Sequence, residues 1–195
     1  MKSEFWDVPD GKIAAVVTHL QMFARPATRS VPQLKAQLVA HAKPDLDWYR
    51  DLFMRVGGQD WMWFSRMGMT DAELSAILHR DDVLVYSVQQ DGRDEGMLEL
   101  DFRVPGECEL GYFGLAPAMI GTGAGRWLME QALDLAWAKP IKRFHVHTCT
   151  LDSPQALPFY MRSGFTAYRR QVEIIEDPRK TGILPANSTP QEPVI

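Results

Sequence analysis

At 195 residues, with 46% hydrophobic and 24% charged side chains, the chain has the composition of an ordinary folded domain. A formal net charge of -4 excludes a broad nucleic-acid footprint, although a local anion site built from backbone N–H groups would not alter net charge. No run approaches the ~18 apolar residues of a membrane span, and Met1 to Asp10 carries acids and a proline in place of a basic-then-apolar leader. Cys108 and Cys149 fit neither a disulfide framework nor a CxxC pair, so a soluble, cytoplasmic protein with reduced thiols is expected.

Gly11 to Phe23 is apolar and β-branched (Ile13, Val16, Val17, Leu20) and predicts a first strand. Pro26 and Pro32 bracket a break. From Gln33 to Val56 the residues Leu34, Leu38, Leu46, Leu52, Phe53 and Val56 recur at helical spacing, and Pro44 divides the stretch into two expected helices. Gly57-Gly58 ends it. Trp61, Met62, Trp63 and Phe64 then form an aromatic cluster with Arg66 close by. Thr70, with Glu73 three residues on, makes a capping box before Leu74, Ile77 and Leu78.

Val83 to Gln89 alternates as a strand, Asp91-Gly92 is a hairpin turn, and Gly96 to Val104 is the next strand. Pro105-Gly106 turns the chain into Cys108 to Leu115, so a three-stranded antiparallel meander is expected. A glycine-rich turn leads into a helix from about Ala124 to Ala138, with Leu128, Met129, Ala132, Leu133 and Ala136 on one side. Phe144 to Cys149 reads as a strand, Pro154 to Arg162 as a short helix, and Phe165 to Ile175 as a final strand. A single domain over residues 1–176 follows, with a Pro-rich tail over 177–195 that is draped or disordered.

The sharpest local signal is Gly121-Thr122-Gly123-Ala124-Gly125-Arg126 after Leu115-Ala116-Pro117. Glycines admit close approach of an anion to the backbone, and a helix N-terminus offers free N–H groups and a positive dipole end. Alone, the pattern is equally that of a structural turn. It lacks the Gly-Lys-Ser/Thr of a Walker A loop, and it follows a meander, with no acid at the end of the next strand as a dinucleotide fold would want.

The second piece stands further downstream: Ser153-Pro154-Gln155-Ala156-Leu157-Pro158-Phe159-Tyr160-Met161-Arg162-Ser163-Gly164-Phe165. In order and spacing, the two pieces resemble the signature of the GCN5-related N-acetyltransferase (GNAT) superfamily. That signature is a hydrophobic-x-Pro strand end, Arg/Gln-x-x-Gly-x-Gly/Ala opening a helix, then Asn-x-x-Ala-x-x-Phe-Tyr-x-x-x-Gly-Phe. The resemblance runs roughly from Val83 to Ile175. It implies an α/β (α+β) fold: a mixed, mostly antiparallel sheet of six to seven strands with helices on both faces. It also implies transfer of an acetyl group from acetyl-CoA to a primary amine of a small molecule or peptide, with no metal.

By that resemblance the coenzyme would be held by Phe113, Leu115, Ile120, Gly121, Gly123, Ala124, Gly125, Arg126 and Ser153, with the Leu115 N–H facing the thioester oxygen. Ile120 departs from the family's Arg or Gln and removes one side-chain contact, which Arg126 could offset in part. Ser153 replaces Asn and is expected to cap the next helix, in which Pro158 should cost one hydrogen bond. An alkylamine needs a base, since its pKa is ~10.4, and a departing thiolate needs a proton. Glu109 matches the position of the family's glutamate base, the alternative being a solvated strand acid beside Glu107; Glu99 is the reserve. Tyr160 matches the phenol that protonates the thiolate, the alternative being a core tyrosine between Phe159 and Phe165. Trp61, Trp63, Phe64 and Tyr112 are the expected acceptor wall. His145, His147 and Cys149 alternate along one strand, but no fourth metal ligand is apparent.

Two other classes remain open. A non-catalytic acyl-CoA-binding regulatory module would fit Ile120 but leave Glu109 and Tyr160 without a role. A nucleotide-binding α/β protein would respond to NAD or ATP and not to CoA. The acceptor is not legible, no nucleic-acid or membrane partner is indicated, and a homodimer is the commonest assembly for such a chain.

Overall fold

The computed structural model describes residues 4–195. Its strands are β1 (Lys12–Met22), β2 (Ala36–His41), β3 (Val83–Gln90), β4 (Arg93–Asp101), β5 (Glu107–Leu115), β6 (Arg143–Cys149) and β7 (Thr166–Glu176). Its helices are α1 (Leu46–Phe53), α2 (Asp71–Leu78), α3 (Ala124–Trp137) and α4 (Ala156–Arg162). The strands form one sheet in the order β2-β3-β4-β5-β6-β1-β7, antiparallel throughout except for the β5–β6 pair. The parallel pair is the one joined through α3, because only a crossover can return the chain in the same direction.

Local chemistry explains the meander. Asp91 and Gly92 both take left-handed φ values, 51° and 78°, which a two-residue hairpin turn of the right twist requires. Period-two alternation then divides each strand between two cores. Val83, Val85 and Met97 face α1 and α2, packing with Tyr49, Leu52, Phe53, Leu74 and Leu78. Leu84, Tyr86, Leu98 and Leu100 face the other way, against Leu128, Met129, Ala132, Leu133 and Ala136 of α3. The predicted apolar side of that helix is entirely buried. The predicted capping box also forms, with the Thr70 side chain accepting from the Glu73 N–H and the Glu73 carboxylate from the Thr70 N–H.

The segment before Pro44 is a correction to the sequence reading. It is the edge strand β2, paired with β3 from Ala36↔Gln90 to His41↔Val85, and not a helix. Leu34, Ala36 and Leu38 all pack on the α3 core, so the burial has a period of two. A spacing of four, the only one visible between Leu34 and Leu38, belongs to both periods. After Pro44 the helix forms as expected, with Asp45 accepting from the Trp48 N–H as N-cap. It ends in a π-type turn over Met54–Gly58.

Two smaller expectations also change. The cap of α4 is Gln155 and not Ser153, whose hydroxyl instead accepts from the Gln155 N–H at 3.3 Å in the preceding turn. Pro158 therefore falls in the first turn of the helix, where backbone N–H groups have no intrahelical acceptor and its missing donor costs nothing. Beyond β7 the chain is irregular but anchored. Arg179 pairs with Asp177 at 2.7 Å, both side chains being 2% exposed, and donates to the Glu192 carbonyl at 2.7 Å. The tail then clasps the aromatic loop, with the Thr189 hydroxyl accepting from the Met62 N–H and the Thr189 N–H donating to the Gln59 carbonyl.

Removing one partner of a buried pair strands the other charge. Arg179→Leu is accordingly expected to lower unfolding free energy by about 3 kcal/mol in urea titrations.

Candidate active site

The β5–β6 ladder holds three residue pairs, Glu107↔Arg143, Cys108↔Phe144 and Glu109↔His145. Both strands continue past it without pairing to each other, β5 hydrogen-bonded to β4 and β6 to β1 on their outer sides. Their inner edges diverge and line a groove of about 1360 Å3, walled by Leu110 to Leu115 on one side and by Val146, His147 and Cys149 on the other.

One end of the groove is the glycine turn. Gly121 and Gly123 have φ of 81° and 88°, and Gly123 caps α3 in a left-handed conformation. A Cβ on Gly123 would lie 2.5 Å from Pro32 Cγ, so both backbone angle and space demand glycine there. Thr122 folds the turn inward, its hydroxyl donating to the Met119 carbonyl at 2.8 Å and accepting from the Ala124 N–H at 3.3 Å. The N–H groups of Gly121, Gly123 and Gly125 have no partner among the described residues and all three glycines line the groove. Arg29, Arg126 and Arg162 line the same end, Arg29 being anchored through Nε to the buried Glu130 at 2.8 Å. Ile120 lines it too, 60% exposed.

Tyr160 lines the groove, buried among Phe113, Phe159 and Phe165 with ring centroids 6.2, 5.7 and 6.0 Å away. It is thus both core residue and groove residue. Burial raises the phenol pKa well above its usual value, so the group stays protonated. The start of α3 and the helix carrying Tyr160 abut, a Cβ on Gly125 falling 3.8 Å from Phe159 Cε2.

The other end is aromatic. Trp61, Trp63, Phe64 and Tyr112 all line it, Trp63 and Tyr112 with centroids 5.1 Å apart. Gly114 leaves the room for this wall, since a Cβ there would come within 2.9 Å of Trp63 Cη2. Asp152, which sequence reasoning missed, closes this end. Its carboxylate accepts from Trp63 Nε1 at 3.2 Å, the Thr148 hydroxyl at 2.6 Å and the Cys149 N–H at 2.9 Å.

Of the residues singled out from sequence, Phe113, Leu115, Ile120, Gly121, Gly123, Gly125, Arg126, Ser153 and Tyr160 line the groove, whereas Ala124 and Glu109 do not. Glu109 stands behind His147, with its Oε1 3.4 Å from Nδ1, and it is His147 that lines the groove. The mutual contact lowers the Glu109 pKa and raises that of His147, while burial lowers that of His145. In sequence His147 stands out as one of three alternating residues on a strand, and with His145 as a flank of the acceptor site, but not as a base. Glu99, the reserve base, is held away from the groove by its partners. It is wholly buried, holds the Tyr49 hydroxyl at 2.6 Å and Arg66 Nη2 at 2.5 Å, and does not reach the groove.

The acetyltransferase (GNAT) family model matches residues 46–165, which include the groove's glycine turn and Tyr160. The chain belongs to this family. No curated protein matches it. Among solved structures it is similar to a GCN5-related N-acetyltransferase from Sphaerobacter thermophilus, at 14% identity and a TM-score of 0.57, over 91% of this chain and 54% of that one. It is also similar to a GNAT family acetyltransferase from Elizabethkingia anophelis with acetyl-CoA bound, at 16% identity and a TM-score of 0.53, over 70% and 80% of the two chains. A third likeness is to an aminoglycoside acetyltransferase from an uncultured soil metagenomic sample in complex with sisomicin, at 16% identity and a TM-score of 0.54, over 71% and 93%. These likenesses establish the GNAT fold: seven strands, mostly antiparallel, with helices on both faces. No helix among the described residues is long and apolar enough to cross a membrane.

The Glu109–His147 contact has a measurable consequence. Glu109 is held below its ordinary 4.5 and His147 above 6.5, so their attraction is complete between those values. It fades as pH falls through the folded pKa of Glu109 or rises through that of His147. NMR titration should place the His147 pKa above 6.5, and Glu109→Gln should move it downward.

Proposed function

We propose that this GNAT protein is an N-acetyltransferase that moves an acetyl group from acetyl-CoA to a primary amine of a small molecule or peptide by direct attack. The observation that carries the reading is one continuous groove with unpaired glycine N–H groups at one end and a buried, protonated phenol further along it. The fit to the coenzyme rests on the same features. Backbone N–H groups at a helix start suit a diphosphate, the flanking arginines add charge, and the splayed strand edges offer N–H and C=O groups to an amide-bearing arm.

In this reading Gly121, Gly123, Gly125 and Arg126 hold the diphosphate, with Ala124, Ile120, Phe113 and Ser153 shaping the turn and the groove around it. The N–H of Leu115 faces the thioester oxygen and stabilises its developing charge. The amine approaches along the wall of Trp61, Trp63, Phe64 and Tyr112. His147 accepts its proton, and Glu109 acts behind it by holding the ring and balancing its charge, which modifies the simpler scheme of Glu109 as direct base. Nitrogen then bonds to the acetyl carbon, the carbon–sulfur bond breaks, and the thiolate takes the Tyr160 proton. Burial keeps the phenol protonated until a thiolate forms beside it, and the ordinary pKa values of the two groups, about 10 and 8.5, are close.

A non-catalytic acyl-CoA-binding module is the second reading, favoured by the apolar Ile120 at the phosphate end. An amine panel monitored by CoA thiol release separates the two, because a pure binder releases none. Tyr160→Phe is expected to lower kcat about a hundredfold while leaving CoA affinity unchanged; wild-type turnover would remove the acid role. Ile120→Arg adds a cation beside the glycine turn, and calorimetry should then record a several-fold tighter Kd for CoA.

A further inference from the structure

β7 ends the sheet, and every one of its 11 residues except Ile175 is exposed. A long open edge is a template for another strand, and natural chains commonly blunt such edges with proline or with charge. β7 has no proline, and its charges are sorted by sign about its middle: Arg169 and Arg170 precede Gln171, while Glu173 and Glu176 follow it.

We propose that a second copy of this chain occupies the edge, β7 against β7, antiparallel and two-fold symmetric about Gln171, making a dimer with one continuous sheet. In that register Arg169 of each copy stands opposite Glu173 of the other and Arg170 opposite Val172, on the regular part of the strand beyond the bulge at Tyr168. A two-fold axis makes each pairing occur twice, so the sorted charges match twice over. Arg169, Gln171 and Glu173 share one face, and residues directly opposite on antiparallel strands are close enough to interact. The other face carries exposed Val172 and Ile174, at 69% and 48%, beside Val16, which is paired with Val172 in the ladder. Across the axis Val172 meets Arg170 of the second copy, while Tyr168 lies on the opposite face, its ring beside His19 and its hydroxyl accepting from Arg143 at 2.8 Å. A parallel in-register pairing would instead set Arg169 beside Arg169 and Glu173 beside Glu173. Glu173 also lines the groove, so the pairing neutralises an acid at the groove's β7 rim. The inference does not depend on the acyl-transfer reading.

Sedimentation of the full chain over a wide concentration range tests it. Wild type is expected to dimerise, and Arg169→Glu or Glu173→Arg alone to raise the dimer Kd about tenfold or more. The double variant R169E/E173R should recover the wild-type Kd. Mixing the two single variants should give a mixed dimer tighter than either alone, since each then meets opposite charge, a result that misfolding cannot imitate. A wild type that stays monomeric, single variants that dimerise like wild type, or no recovery on exchange or mixing would each overturn the proposal.

Discussion

The constraint on which the rest depends is the early end of the parallel ladder between β5 and β6. Three residue pairs hold the strands together at Glu107 to Glu109, and beyond them each strand is bonded only on its outer side. A bulge in β5 accompanies the divergence: Glu99 faces Tyr112 and Leu100 faces Leu110, leaving Gly111 as an extra residue. Two inner edges of unpaired backbone groups therefore face each other across the groove, and such groups need partners. A sheet that had zipped to the end would have satisfied them internally and left nowhere for a ligand.

Keeping the splay open requires bracing from both faces. On one side α3 and α4 fill the space with Leu128, Met129, Phe159 and Tyr160. On the other, α1 packs Phe53 against Tyr112 at 4.8 Å, and Arg66 lies over the same tyrosine ring at 5.3 Å while bonded to the buried Glu99. A buried ion pair is weak as a source of stability because both charges lose water. Its effect here is positional, since the Glu99–Arg66–Tyr49 group fixes the ring that floors the aromatic end. Asp152 performs the matching task at the far wall, joining Trp63 to the end of β6.

The two groups proposed above to handle protons sit in opposite environments, which suits the opposite tasks proposed for them. Tyr160 is enclosed by aromatic rings and kept neutral by burial. His147 is half exposed and has a carboxylate behind it that favours its protonated form. On that proposal, the group that releases a proton late and the one that accepts a proton early are separated by solvation and not by residue type alone.

Much of this was legible in the linear chain because it depends on neighbours a few residues apart. The Asp91-Gly92 hairpin, the Thr70 capping box, the buried side of α3 and the glycine turn rest on φ preference, capping geometry or helical period, all of which are local. The segment Leu34 to Leu38 was not legible, because a spacing of four fits strand and helix alike and only pairing with β3 decides between them. Nor was the fate of the acids. Motif position ranks Glu109 above Glu99, yet only the fold shows that Arg66 and Tyr49 enclose Glu99, while Glu109 stands behind His147. By itself, then, the sequence determined most of the elements, though not β2, together with their turns and the family signature. Tertiary structure alone decided which polar side chains reach the groove, because burial and charge partners are set by strands and helices that lie far apart in the chain.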